Sequence, residues 1–522
     1  DGVDEMQTSG AQRISIVGER APIFWGACAA IAIGVLLHLP MLAMAHDMGN
    51  RLAGMPMDPK MWVGMALIVL GVPAAVFGAL PRQRASHGAE AGTNYEAPDS
   101  TPLNRWHAGV LLVLIVGLVI DVMKPATLGF VLPGMSHEYG ISTTTVAWFP
   151  FTALVGTTIG SFVWGWLADI YGRRVSILLS TILFVSTSIC GAMPLFQLNL
   201  LMCFLMGCSA GGMLPVVYTL LAEIMPPRHR SWVLVLVGGT GLVGGYLAAS
   251  AAAHAFEPVF GWRVLWLQGF PTGLLLLALA FLIPESPRFL AEQGRVAELA
   301  EMRRKFGIVP RPREPAPADA EVAARRHGRL TFALVITALA WSFVNFGLLL
   351  WLPSDLQARG YSSALASGIL ASSALIALPT IMGAAWSYSR LSSKWTLVAT
   401  IVLTLGGLIG ALLPASILSW PPLLIAVIAL LIVGSNGMIA VLLPYSAENY
   451  PLGIRGRATG LVAGSSKFGG VAVQGFALLG FIPTLAGAAF GLLAPMGLSA
   501  VLIAWAGRET RGRSLRELEA SA

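Results

Sequence analysis

Charge is scarce in this sequence. Asp, Glu, Lys and Arg make up only 11% of its residues, against roughly 25% in an ordinary soluble domain. Hydrophobic residues reach 56%, and the mean hydropathy is +0.74. A soluble globular protein is thereby excluded, and an all-α integral membrane protein is expected. The four cysteines (Cys28, Cys190, Cys203, Cys208) all fall in apolar stretches, and their spacing establishes no disulfide framework. The chain also lacks a phosphate-binding Gly-rich Lys loop, a metalloprotease helix and a nucleophile elbow, so ATP use and hydrolysis have no support and no enzyme is expected. The first twenty residues, starting at Asp1, show no apolar core with a small-residue cleavage site, so no cleavable signal peptide is expected.

What is present is a series of fourteen apolar stretches, near residues 22–45, 61–80, 106–133, 143–168, 174–193, 198–222, 231–255, 263–283, 330–352, 362–387, 394–413, 421–445, 456–480 and 484–506. About 20 apolar residues cross the hydrocarbon as a helix. Of the 33 Lys and Arg, twenty-seven lie in segments that share one side when the amino terminus is cytoplasmic; only Arg51, Lys60, Arg263 and Arg359 lie on the other. The positive-inside rule therefore predicts both termini in the cytoplasm of an inner or plasma membrane. It also accounts for the net charge of +7 without nucleic acid, because the basic side faces anionic lipid. The expected organisation is a cytoplasmic amino terminus (1–21), a two-helix hairpin (22–80), a solvated cytoplasmic linker (81–105), a six-helix bundle (106–283), a central loop (284–329), a second six-helix bundle (330–506) and a cytoplasmic tail (507–522). The central loop begins with an amphipathic pattern (Phe289, Leu290, Val296, Leu299, Met302) and then meets Pro310, Pro312, Pro315 and Pro317, where order is expected to end.

Two basic residues and one acid interrupt the spans. Asp121 and Lys124 lie in the stretch Trp106–Pro133, on one helical face, and Pro125 is expected to bend or break the helix beside them. Ionisable groups at such depth are costly and mark a functional site facing a cavity. Lys467 is the third; it can attract an anionic substrate or pair with Asp121.

A shift of 225 residues exposes an internal repeat. Ala222-Glu223 aligns with Ala447-Glu448, Pro226 with Pro451, Arg230 with Arg455, and Gly244-Gly245 with Gly469-Gly470, in all nine identities over 24 positions without a gap. Duplicated halves in pseudo-twofold relation are a hallmark of secondary transporters. Lys467 stands where the repeat has Leu242, so it is no part of the shared scaffold.

Between the second and third helices of the first bundle runs Gly165-Trp166-Leu167-Ala168-Asp169-Ile170-Tyr171-Gly172-Arg173-Arg174. This segment resembles the signature loop of the major facilitator superfamily. Pro284-Glu285-Ser286-Pro287-Arg288, Gly261-Trp262-Arg263 and Glu509-Thr510-Arg511-Gly512-Arg513 are similar to its sugar-porter-like members and metabolite:proton symporters. The resemblance covers about residues 105–518 and implies two six-helix bundles that rock about a central site; the hairpin at 22–80 is extra. It further implies Asp121, with Lys124, as the proton-coupling group. Two features depart from the family pattern. Cys203 stands where many proton-coupled members have an Arg, and Tyr388-Ser389-Arg390-Leu391-Ser392-Ser393-Lys394 lacks the acid and glycines of a second signature loop. The Gln-Gln-Ser-Gly type of sugar pattern is absent from the seventh core helix, which disfavours sugar.

Candidate substrate contacts are Lys467, Trp341, Asn345, Asn436, Tyr445 and Gln474, and candidate gating residues are Asp169, Arg173, Arg174, Glu223, Arg230, Glu448 and Arg455. Glycine pairs four apart (156/160, 207/211, 241/245, 460/464) are expected to let helices approach closely, and Pro215, Pro271, Pro379 and Pro444 to supply bends. The hairpin carries His38, Met41, Met44, His46, Asp47 and Met48, a soft donor set that suits a transition metal. The leading expectation is a proton-coupled secondary transporter of a small anionic metabolite, needing no cofactor beyond its coupling ion. A copper-like metal transporter or sensor and a non-transporting membrane receptor are the competing readings.

Overall fold

The structure, a computed structural model, describes residues 20–80, 93–312, 327–450, 452–482 and 484–511. Among the described residues twelve helices are long and apolar enough to cross a membrane. A hairpin, α1 (Ala21–Asp47) and α2 (Pro59–Ala79), precedes the first bundle of α3 (Arg105–Tyr139), α4 (Thr143–Tyr171), α5 (Arg173–Ala192), α6 (Phe196–Ile224), α7 (Pro227–Phe260) and the shorter α8 (Val264–Ala280). The second bundle holds α9 (Gly328–Ala358), α10 (Ser363–Arg390), α11 (Ser393–Ala411), α12 (Pro421–Asn449), α13 (Leu452–Leu478) and α14 (Leu485–Ala506). Every stretch expected to span coincides with one of these helices.

Local chemistry sets the helix starts. Asn104, Ser142, Ser362, Ser392 and Thr484 each turn a side-chain oxygen onto a first-turn N–H of α3, α4, α10, α11 and α14. Small residues set the packing. Gly156 and Gly160 of α4 interlock with Gly207 and Gly211 of α6, and a Cβ at any of the four would strike the backbone carbonyl of Phe204, Cys208, Ala153 or Thr157. The repeat reappears as packing: Gly244 and Gly245 of α7 receive Val119 and Val122 of α3, while Gly469 and Gly470 of α13 receive Ser342 and Phe346 of α9.

Three expectations fail. The α3 helix is not broken at Pro125: it stays helical from Arg105 to Tyr139. The unforeseen irregularity lies in α9, which widens to a π-helix over Phe343–Leu349. Gly460 and Gly464 receive no partner, since a Cβ at either would meet nothing within 4 Å. The described part of the linker, from residue 93, is tied down rather than loose: strand β1 (Thr93–Glu96) pairs antiparallel with β2 (Val309–Pro312) of the central loop. Asn104 Nδ2 donates to the Lys305 carbonyl (2.8 Å), and His107 meets Phe306 edge-on. The amphipathic pattern forms helices Pro287–Glu292 and Val296–Phe306, burying Phe289, Leu290, Leu299 and Met302 but leaving Val296 exposed.

Gly34 and Gly64 bring α1 and α2 into backbone contact. The hairpin docks on the first bundle alone, with Trp25 stacked on Phe281 at 5.2 Å and the amides of Leu52 and Ala53 donating to Glu138 Oε1 at 2.6 and 2.9 Å.

Candidate functional site

The two bundles meet along α3, α4 and α7 on one side and α9, α10, α12 and α13 on the other. At the face opposite the basic loops, Gly129 lies against the Leu350 carbonyl, and His254 Nδ1 bonds the Ala364 carbonyl at 2.7 Å. Toward the basic face, Gly239 of α7 packs on Ile381 and Ala440, and the Ser231 hydroxyl donates to Glu448.

Between these closures lies Asp121, 5% exposed. The charge acting most strongly on its carboxylate is Lys467 of the other bundle, followed by Lys124. In turn, Asp121 acts on Lys467. Spacing put Lys124 beside Asp121, but its ammonium turns away. It donates to the Phe184 carbonyl and to Thr187 Oγ1 (2.6 Å) of α5, and sits 4.4 Å from the centroid of the Phe184 ring. The reason is local: α5 tightens to a 3₁₀ turn over Thr187–Ala192 and offers the Phe184 carbonyl, which the long Lys stem reaches. Asp121 makes no ion pair within 4 Å among the described residues. By formal count one acid and two amines leave one positive charge in excess, which an anion would balance.

The other cavity candidates divide. Trp341 is buried, meets Phe346 edge-on at 5.7 Å, and its indole N–H has no partner among the described residues. Asn345, within the π-segment, has no side-chain hydrogen bond among them either. Asn436 is buried one turn from Ala440, and so faces the first bundle at the depth of Asp121. Gln474 is committed elsewhere, donating to the Phe346 carbonyl (2.5 Å) and accepting from Trp351 Nε1 (3.3 Å), which fastens α13 to the π-segment. Tyr445 lies at the basic end, donating to the Arg508 carbonyl at 2.6 Å, far from Asp121 along α12.

The gating candidates do converge. Arg173 bridges Asp169 (3.1 Å) and Glu223 (3.3 Å), while Arg174 donates to the carbonyls of Ala280 and Phe281. Arg230 lies under the influence of Glu96, Glu448, Asp99 and Glu223. Glu448 accepts from Tyr388 (2.7 Å) and Thr510 (2.7 Å) as well as from Ser231. Arg455 falls outside the residues whose side chains are described. Two members were missed. Glu285 accepts from the amides of Arg173 (2.7 Å) and Arg174 (3.3 Å), and Glu509 accepts from the amide and hydroxyl of Ser393 (2.9 and 2.6 Å). Their signal was present in the Pro-Glu-Ser and Glu-Thr-Arg segments.

The metal candidates of the hairpin do not converge. His38 is buried between α1 and α2 with Nδ1 on the Gly34 carbonyl, His46 contacts Asn50 and the Phe260 ring, and Met44 and Met48 are exposed. Met41 is buried and Asp47 closes the helix. Among the described residues no group of three or more His, Cys, Asp or Glu could hold a metal ion.

The comparisons agree with this architecture. The family described as Major Facilitator Superfamily matches residues 110–473. The chain is 27% identical to the niacin transporter NiaP of Acinetobacter baylyi, over 72% of this chain and 87% of the relative. It is also 27% identical to the 4-hydroxybenzoate transporter PcaK of Pseudomonas aeruginosa, over 72% of this chain and 86% of the relative. In solved structures its fold is similar to that of the proton:xylose symporter XylE of E. coli, with a TM-score of 0.62 at 17% identity over 79% of this chain and 98% of that one.

Proposed function

This chain belongs to the Major Facilitator Superfamily, and we propose that it couples proton movement to the transport of a small aromatic carboxylate by alternating access. The observation that carries the reading is a buried acid in one bundle, Asp121, under the electrostatic influence of a half-buried amine in the other, Lys467. Such a pair changes partners when either an anion or a proton arrives. A substrate carboxylate that engages Lys467 competes with Asp121 for it, and the carboxyl freed of its counter-charge takes up a proton more readily. The bundles then carry substrate and proton together past whichever closure relaxes. The ligands named for the two relatives, niacin and 4-hydroxybenzoate, are both aromatic carboxylates, which suits the excess positive charge and the aromatic wall of Trp341 and Phe346.

The basic face is cytoplasmic in this reading, with both ends of the chain on that side, since twenty-seven of the 33 Lys and Arg lie there.

The test is transport of radiolabelled nicotinate and 4-hydroxybenzoate in proteoliposomes. Asp121→Asn is expected to abolish accumulation driven by a proton gradient and to keep exchange between labelled and unlabelled substrate. Gradient-driven accumulation that persists in the variant removes Asp121 from the coupling.

A further inference from the structure

One donor at the centre has no structural explanation. Trp341 is 4% exposed, and its indole Nε1–H lacks a hydrogen-bond partner among the described residues. Leaving a buried donor unsatisfied is costly, and a phenyl ring would fill similar space without that cost. Asn345, four residues on and therefore on the same face of α9, also keeps its amide free among the described residues. Both lie in or beside the π-helical stretch Phe343–Leu349, a departure from regular winding that recurs at functional sites. The Trp341 ring stands edge-on to Phe346, and Phe346 lies over Gly470, three residues along α13 from Lys467. An aromatic wall thus has an ammonium near one end and a buried, unpaired indole N–H along its side.

Resting on the reading above, we infer that Trp341 Nε1 donates to an acceptor on the substrate's ring other than its carboxylate. Lys467 takes the carboxylate, Phe346 takes the ring face, and Trp341 reads a ring nitrogen or hydroxyl, with Asn345 beside it. The chain then selects monocyclic aromatic carboxylates that carry such an acceptor over benzoate, which has none. A site built around an N–H donor discriminates by leaving that donor unpaired when the wrong ligand binds.

The experiment is equilibrium binding of benzoate, nicotinate and 4-hydroxybenzoate to the purified full chain and to Trp341→Phe. The wild-type chain is expected to bind nicotinate or 4-hydroxybenzoate roughly tenfold more tightly than benzoate. Trp341→Phe should erase that preference by weakening nicotinate and 4-hydroxybenzoate about tenfold more than benzoate, while an unchanged size-exclusion profile and thermal midpoint show that the variant is folded. Equal loss of all three ligands makes Trp341 a packing residue and overturns the inference. So does a wild-type chain that binds all three equally, although the aromatic-carboxylate reading then survives. Failure of the wild-type chain to bind any of them overturns both.

Discussion

Glu285 and Glu509 occupy the same place in the two bundles. Each follows the last helix of its bundle and accepts the N–H of the first residue of the third, Arg173 in α5 and Ser393 in α11. A carboxylate there satisfies amides that the helix cannot and meets the positive end of its dipole. The second bundle reaches this without the acid and glycines of a signature loop, because Ser392 and Ser393 supply hydroxyls to Glu509 instead. Glu285→Gln turns an acceptor oxygen into an NH₂ that faces the Arg173 and Arg174 amides. The loss is expected to be about 1–3 kcal/mol, read as a lower midpoint of thermal unfolding in detergent and slower transport. An unchanged midpoint would remove Glu285 from the latch.

The two carboxylates should respond oppositely to acid. Burial pushes the Glu285 carboxyl above its ordinary value, outweighing hydrogen bonds from Ser286, Arg173 and Arg174. Burial also raises Glu509, but hydrogen bonds from Ser392, Ser393 and Arg511 prevail and hold it below the usual range. For Glu509 the folded state binds its proton less readily than the unfolded chain. Its contribution is therefore complete above the unfolded value and is lost as pH falls through the depressed one. For Glu285 the folded state binds the proton more readily, so stability rises as pH falls through the window between its unfolded and raised values. Thermal midpoints followed from neutral to acid pH should show less acid lability in Glu509→Gln than in wild type. They should show more in Glu285→Gln, which lacks the opposing gain.

The hydroxyl of Ser231 reaches Glu448 across the division between the bundles. It is a bond that must break before the basic face opens. Ser231→Ala should shift the population toward the open state by about tenfold, as expected for one hydrogen bond to a charged acceptor. A cysteine introduced at Ala440, which faces Gly239 in the closed seam, would then be alkylated faster. An equal alkylation rate in both proteins would show that the bond does not restrain this face.

What the sequence made legible was whatever repeats or carries charge. The glycine pairs 156/160 and 207/211 read directly as close helix approaches, and a Cβ at any of the four would strike a backbone carbonyl. Glu223 and Glu448 stood out because they repeat at the inner ends of equivalent helices. Partners chosen over distance were not legible. Thr93–Glu96 and Val309–Pro312 are four residues each, the second carries two prolines, and they pair across more than two hundred positions without a periodic signal. Lys124 shares a face with Asp121 by spacing, yet its reach and the Phe184 carbonyl decide its place. The Gly460/Gly464 pair shows the limit of the motif: the same spacing as Gly156/Gly160 faces open space.

Because Lys124 is held by neutral acceptors in α5, its role separates from that of Asp121. Thr187→Val removes one acceptor from a buried ammonium, at an expected cost of about 1–3 kcal/mol. Thermal midpoints should fall, while the ratio of protons to substrate moved in proteoliposomes stays at the wild-type value. A changed ratio would place Lys124 in the coupling after all.

One carboxylate of α3 fastens the extra hairpin to the first bundle. Glu138 gathers Arg263 (2.7 Å), Trp262 Nε1 (2.9 Å) and the amides of Leu52 and Ala53 in the hairpin loop. Arg263 is 2% exposed and also donates to the carbonyls of Gly191 and Met193. Breaking one member of a buried pair leaves the other charge uncompensated, at about 3–5 kcal/mol. Arg263→Ala should therefore yield little monodisperse protein, and proteolysis should cut between α1 and α2, where the loop has lost its anchor. Adding Glu138→Gln to Arg263→Ala removes the stranded charge and should recover part of the loss. If the double variant is no better than Arg263→Ala, the damage comes from the carbonyls that Arg263 served, and the hairpin does not depend on the Glu138 charge.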